Sequence, residues 1–88
     1  MNLEDARATI ANVDEKMAAL FEARMQAARD IAAYKKEHGL PIEDKAQEAR
    51  VIEQRSTYIE DEELLPYYRQ FIQNTMDVCK SWQRHLNG

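Results

Sequence analysis

The sequence predicts an all-α protein with three helices per chain, one long N-terminal helix and two shorter ones, that pairs with a second copy as an intertwined homodimer. Three observations predict it. Glycine and proline occur only twice each among 88 residues, 44% of the residues are apolar and 32% charged, and the strong helix formers Ala, Glu, Lys, Arg, Gln and Leu are abundant. Apolar and small residues recur at alternating steps of three and four, the period of one helix face. A single domain of this length builds a small core, and association commonly supplies the missing stability.

The first helix opens near Leu3 and runs to about His38. Its stripe is Leu3, Ala6, Ile10, Val13, Met17 and Leu20, then Ala27, Ile31 and Tyr34, with no Gly or Pro to interrupt it. Gly39 can take the left-handed conformation that ends a helix, and Pro41 prevents resumption. About 35 residues at a rise of about 1.5 Å each span roughly 50 Å, whereas a compact chain of this length has a radius of gyration of about 12 Å. Such a helix outruns its own globule, and the simplest cover for its seam is the same helix of a second chain. The small residues Ala18 and Ala19 mark a centre where two antiparallel copies can approach closely.

After the Gly39-Leu40-Pro41-Ile42 connector, Asp44 is a good N-cap and Gln47 stands three residues on, at the position of a capping-box partner. The second helix is expected from residue 45 to about Tyr58. Glu60-Asp61-Glu62-Glu63 reads as a turn or a helix start, and Pro66 suits the first turn of the third helix, where its missing N–H costs nothing. The spacing of Tyr68, Ile72, Thr75, Cys79, Trp82 and Leu86 carries that helix to about residue 86. The whole of 1–88 reads as one domain, without internal repeats or low-complexity tracts.

A net charge of −4 argues against a broad nucleic-acid surface and leaves any anion to a local cluster of basic groups. The lone Cys79 cannot form an internal disulfide, which fits a reducing compartment. No apolar run approaches the roughly 20 residues of a membrane span, and Met1-Asn2-Leu3-Glu4-Asp5 lacks the character of a signal peptide. The expectation is a cytoplasmic protein with neither nucleic-acid nor membrane partners.

Polar residues that interrupt the stripe point to a site. Four residues beyond Leu20 the pattern calls for an apolar side chain and meets Arg24, whose burial without a partner is costly. Lys35 follows about three turns later on nearly the same face. Two cations on one inward face suggest an anion site, although a carboxylate from another helix would satisfy Arg24 equally well. Arg7 lies roughly 25 Å before Arg24 along the axis, too far for one small ligand to touch both within a chain. In an antiparallel pair of first helices, Arg7 of the partner subunit comes level with the segment from Arg24 to Lys35, so the spacing makes sense as a site shared between subunits.

Arg7, Val13-Asp14-Glu15-Lys16, Glu22-Ala23-Arg24, Tyr34-Lys35-Lys36, Gly39-Leu40-Pro41, Asp44, Glu48 and Gln83 resemble, in order and spacing, the helical chorismate mutases that occur alone or fused to prephenate-processing enzymes. The resemblance covers nearly the whole chain. It implies an isomerase of aromatic amino-acid biosynthesis that rearranges chorismate, a small dicarboxylate, to prephenate in one pericyclic step, with no metal, cofactor or covalent intermediate. The enzyme's task is then to hold the reactive conformer and to stabilise charge developing on the ether oxygen. By the resemblance, Arg24 and Arg7 of the partner subunit clamp the two carboxylates, with bidentate geometry that lysine does not reproduce. Lys35 and Gln83 serve the ether oxygen, and Glu48 accepts from the ring hydroxyl with the Asp44 backbone assisting. Each residue also has an ordinary role available: a solvated charge for Arg7, an exposed Lys35-Lys36 pair, a first-turn carboxylate for Glu48, a helix-end polar group for Gln83.

Two departures from the family pattern stand out. Gln47 occupies the place of an arginine, so one cationic contact is missing, and Arg50, three residues later on nearly the same face, is a candidate to replace it. Cys79 stands where a serine is usual, and a thiol is a weaker donor, although a small packing residue is its ordinary role. His38 suits a helix C-terminus, while Trp82 and Tyr67-Tyr68 suit packing of the third helix. Competing readings are an isochorismate-pyruvate lyase on the same scaffold, a degenerate dimeric binding module, for which Gln47 is the best reason, and a plain coiled-coil adaptor, which has no use for Arg24 in its seam.

Overall fold

The computed structural model describes residues 2–88; Met1, the first residue of the expected 1–88 domain, lies outside the described residues. Among them are three α-helices and one short 3-10 turn, with no strand: α1 (Leu3–Glu37), α2 (Lys45–Ser56), the 3-10 turn Glu62–Leu64 and α3 (Leu65–Asn87).

Local chemistry accounts for the ends of each helix. The Asn2 side chain accepts from the backbone N–H of Asp5 at 2.8 Å, and Glu4 and Asp5 sit at the positive end of the α1 dipole. At the other end Gly39 adopts a φ of 65°. Leu40 N then donates to Lys35 O at 2.8 Å and Gly39 N to Lys36 O at 3.4 Å, the paired bonds of a Schellman motif that satisfy the last carbonyls. His38 is the C-cap, its Nδ1 donating to Tyr34 O at 2.9 Å. Asp44 caps α2 by accepting from Gln47 N at 3.0 Å. The Gln47 side chain does not complete a capping box; its Oε1 accepts from Arg50 Nε at 3.1 Å.

The second helix stops at Ser56, two residues short of the expected Tyr58. Ser56 Oγ donates to Ile52 O at 2.6 Å and Thr57 Oγ1 to Gln54 O at 2.6 Å, so hydroxyls take carbonyls near the helix end. Thr57, Tyr58 and Ile59 then close tighter turns, each N–H donating to the carbonyl three residues back. Asp61 accepts from Glu63 N at 3.0 Å to start the 3-10 turn, and Pro66 lies in the first turn of α3.

The third helix is the hub, packing against both α1 and α2. Its main partner surface on α1 is the C-terminal half, where Ala28 and Ala32 are buried at 4% and 1% exposure; Ile72 and Met76 of α3 are the other buried apolar residues of the small core. Two small side chains one turn apart let α3 come close enough for its amides to reach the α1 backbone. Gln83 Nε2 donates to Ala28 O at 3.0 Å and Asn87 Nδ2 to Ala32 O at 2.9 Å. Arg29 lies 5.3 Å above the Trp82 ring, a cation–π contact that steadies this packing.

The apolar stripe expected on α1 is not the face that α3 covers. Leu3, Ile10, Val13, Met17, Leu20, Ile31 and Tyr34 all remain exposed in the single chain, Leu20 to 67%. The covered face is rotated from the stripe, through Met25, Ala28 and Ala32, because close approach by α3 favours alanine. The molecule measures 52 × 25 × 15 Å with a radius of gyration of 15.8 Å, well above the roughly 12 Å of a compact domain of this length. No helix among the described residues is long and apolar enough to cross a membrane.

Candidate active site

A cleft of about 240 Å³ opens where the C-terminal half of α1, the connector, the start of α2 and the middle of α3 meet. From α1 it takes Arg24, Ile31 and Lys35, which recur at steps of seven and four on one face. The connector contributes Ile42 and Asp44, and the first turns of α2 contribute Gln47 and Glu48. From α3 come Met76, Cys79, Lys80 and Gln83, again one helix face. Seven of the eight residues singled out in the sequence therefore line one cavity: Arg24, Lys35, Asp44, Gln47, Glu48, Cys79 and Gln83. Arg7 does not. It is exposed on the projecting part of α1, roughly 25 Å along the axis from Arg24.

The backbone geometry positions these groups. Because the Schellman turn folds the connector back over the end of α1, Lys35 Nζ reaches Ile42 O at 2.7 Å. An ammonium has three protons, so two remain for other acceptors. Gln83 is buried to 6% exposure, with one N–H used by Ala28 O and a second available. The Asp44 carboxylate is occupied in capping α2. The Cys79 thiol points to Met25 Sδ at 4.0 Å, an internal contact typical of a packing cysteine. Arg50 is absent from the cleft walls, its guanidinium engaged with Gln47 on the exposed side.

Two polar atoms in this region are buried without a hydrogen-bond partner in the chain: Arg24 Nε, a donor, and Glu48 Oε2, an acceptor. Folded proteins rarely tolerate such groups, each costing about 1–3 kcal/mol, unless function retains them. Both belong to residues that line the cleft. Glu48 Oε1, by contrast, is held by Lys80 Nζ at 2.9 Å, with Gln73 Nε2 at 3.5 Å. The Lys80 hydrogen bond holds the Glu48 carboxyl below the ordinary carboxylate value, with burial opposing and the charge of Lys80, Gln73 and the Asp44 backbone assisting. Lys80 is pushed up in return, first by the same bond to Glu48, with burial again opposing.

Lys80 is the residue that sequence reasoning missed. The available signal was its helical spacing: it stands three residues before Gln83 and next to Cys79, which puts it on the same face. The arrangement offers cations from two helices, a buried amide and an ionised carboxylate acceptor around one small cavity. That donor set suits a compact anion carrying a hydroxyl.

Neither curated proteins nor solved structures match the chain. The family model for chorismate mutase type II matches residues 6–84, a span that contains every residue lining the cleft, and the chain belongs to that family.

Proposed function

We propose that the protein is a working chorismate mutase, converting chorismate to prephenate in phenylalanine and tyrosine biosynthesis by positioning and electrostatic stabilisation, without covalent catalysis, metal or cofactor. The observation that carries this reading is the pair of unpartnered buried atoms, Arg24 Nε and Glu48 Oε2, at one cleft. A substrate carboxylate satisfies the first and the ring hydroxyl satisfies the second. Lys35 and the second N–H of Gln83 are then the donors for the ether oxygen, where charge grows as the carbon–oxygen bond breaks. Asp44 assists at the ring hydroxyl through its backbone, and Gln47 and Cys79 are neutral wall residues that weaken binding relative to charged or hydroxylic side chains.

The site is completed by a homodimer. The exposed stripe from Leu3 to Leu20 supports this, since apolar area of that extent on a projecting helix marks an association surface. Antiparallel pairing of α1 brings Arg7 of the partner subunit to the cleft to clamp the second carboxylate. The chain from residue 1 to 88 acts as one catalytic domain in the cytoplasm, a setting consistent with its unpaired Cys79.

The experiment is the disappearance of chorismate by absorbance with purified protein, product identification after acid conversion to phenylpyruvate, and an Arg24→Ala control. Prephenate formation that the control abolishes is the expected result. Binding without turnover by an intact dimer would instead identify a degenerate binding module, with Gln47 the prime suspect. Pyruvate released from isochorismate would identify the lyase.

A further inference from the structure

The ion pair between Lys80 and Glu48 is built more firmly than an ordinary surface pair. Lys80 Nζ lies 2.9 Å from Glu48, 3.3 Å from Glu43 and 3.5 Å from Asp77, and its side chain is 13% exposed. Three carboxylates, from α2, the connector and α3, thus hold one ammonium in place. A free lysine must surrender rotamer entropy each time it forms a contact; this one is held before any ligand arrives. Lys80 and Glu48 are also the two residues common to the cleft and to an outer groove of about 340 Å³ on its far side. The pair is the wall between the two cavities.

The oxygens of Glu48 have separate duties. Oε1 is taken by Lys80 and Gln73, and Oε2 is left without a partner in the chain. We propose that Lys80 is a positioning residue of the chorismate site, which fixes the Glu48 carboxylate in one orientation so that Oε2 accepts from the substrate hydroxyl, and which seals the wall behind that contact. The inference rests on the mutase reading. It also relocates the additional cation that the sequence suggested at Arg50: the charge next to Glu48 comes from α3, one turn from Gln83.

The charged groups around Glu48 are Arg24 and Lys35 from α1, Glu43 and Asp44 from the connector, Lys45 from α2, and Asp77 and Lys80 from α3. Of these, Lys80 forms its ion pair. Without that ammonium, burial and the neighbouring carboxylates favour the protonated acid. A protonated Glu48 carries a hydrogen of its own and competes as a donor where the substrate also brings a donor.

The test compares wild type, Lys80→Met and Lys80→Arg. Methionine keeps the unbranched stem and the wall but removes the charge. Lys80→Met is expected to lose about tenfold in kcat/KM near neutral pH and to move the acidic limb of the pH profile to higher pH, while Lys80→Arg recovers most of the loss. Carbon NMR of the Glu48 carboxyl, which requires no turnover, is expected to show a higher midpoint in Lys80→Met. If that midpoint and the pH profile both stay at their wild-type positions in a protein that makes prephenate, the positioning role is overturned and the mutase reading stands. Wild-type protein that makes no prephenate overturns the mutase reading and the substrate role of Lys80 together, and the NMR midpoint then reports only whether Lys80 governs Glu48.

Discussion

The two halves of α1 belong to one uninterrupted helix and live in different surroundings. From Arg24 to Lys35 the helix packs against α3 through Ala28 and Ala32, surrenders backbone carbonyls to Gln83 and Asn87, and supplies two cations to the cleft. From Leu3 to Leu20 it presents Leu3, Ile10, Val13, Met17 and Leu20 to the outside, and only its last turn, at Met17 and Leu20, lies alongside Phe71 and Ile72 of α3. The apolar period is the same in both halves. The stripe stays exposed in both, at Ile31 and Tyr34 as at Leu20; what differs is that the C-terminal half has a second face, through Ala28 and Ala32, that α3 covers. A stripe in a sequence thus reports that a face is to be buried, and not by what.

The comparison can be broken first at its two arginines. Arg24→Ala and Arg7→Ala are each expected to lower kcat/KM by about 10²–10³-fold, as removal of a fixed charge from a transition-state site does, although one residue is half-buried beside the cleft and the other exposed far from it. Mixing the two inactive variants under conditions that exchange subunits should restore about a quarter of wild-type activity, because half of the dimers formed at random are mixed and each regains one of two sites. No recovery in the mixture, with exchange verified, would remove Arg7 from the site.

Substitutions in the stripe and in the core sharpen the contrast. Val13→Glu on the projecting half should shift the protein from dimer to monomer in sedimentation velocity. Ala28→Leu on the packed half should instead destabilise the fold by about 1–3 kcal/mol in urea melts, since overpacking forces α3 away from the Ala28 carbonyl. Equal effects of both on association would contradict the division of α1 into an associating half and a packing half.

The cleft end of the molecule also carries a pH signature. The Glu48 carboxyl, lowered from 4.5 chiefly by the Lys80 hydrogen bond, contributes stability that is present above that ordinary value and lost as pH falls through the lower value of the folded state. Lys80, raised from 10.5 by the same bond, contributes stability that is present below its ordinary value and lost as pH rises through the higher value of the folded state. Thermal melts should therefore fall more steeply on the acid side in wild type than in Glu48→Gln. The smallest effect is expected at Arg50→Ala. With its guanidinium on Gln47 and outside the cleft, kcat/KM should stay within about twofold of wild type, the scatter typical of substitutions away from a site. A larger loss would return a cationic role to Arg50.

The helices were legible because their signals are local. Asp44, Gly39 and Pro66 act within one turn of their own positions, and the expected ends lie within two residues of the observed ones. The later stop expected for the second helix, at Tyr58 in place of Ser56, overlooked the hydroxyls of Ser56 and Thr57, which compete for carbonyls over that same short range. Much of the cleft was legible for a different reason: Arg24 broke an apolar pattern, and the ordered set from Arg24 to Gln83 resembled one family. Lys80 carried no such mark. A lysine on an amphipathic helix reads as solvated until the rotation of that helix against its neighbours is known.

The sequence by itself determined where the chain is helical, where it turns, that α1 is too long for its own globule, and which polar residues are out of place. The tertiary structure alone decided which face of α1 meets α3, that Gln83 anchors to Ala28 O, and that Lys80 rather than Arg50 stands beside Glu48. The physical reason is one of range. Caps and periodicity are settled by interactions within about four residues, whereas successive side chains on a helix point about 100° apart. A one-residue change in how two helices face each other therefore exchanges a wall residue for a solvated one, and only the packing of Ala28, Ala32, Ile72 and Met76 settles that rotation.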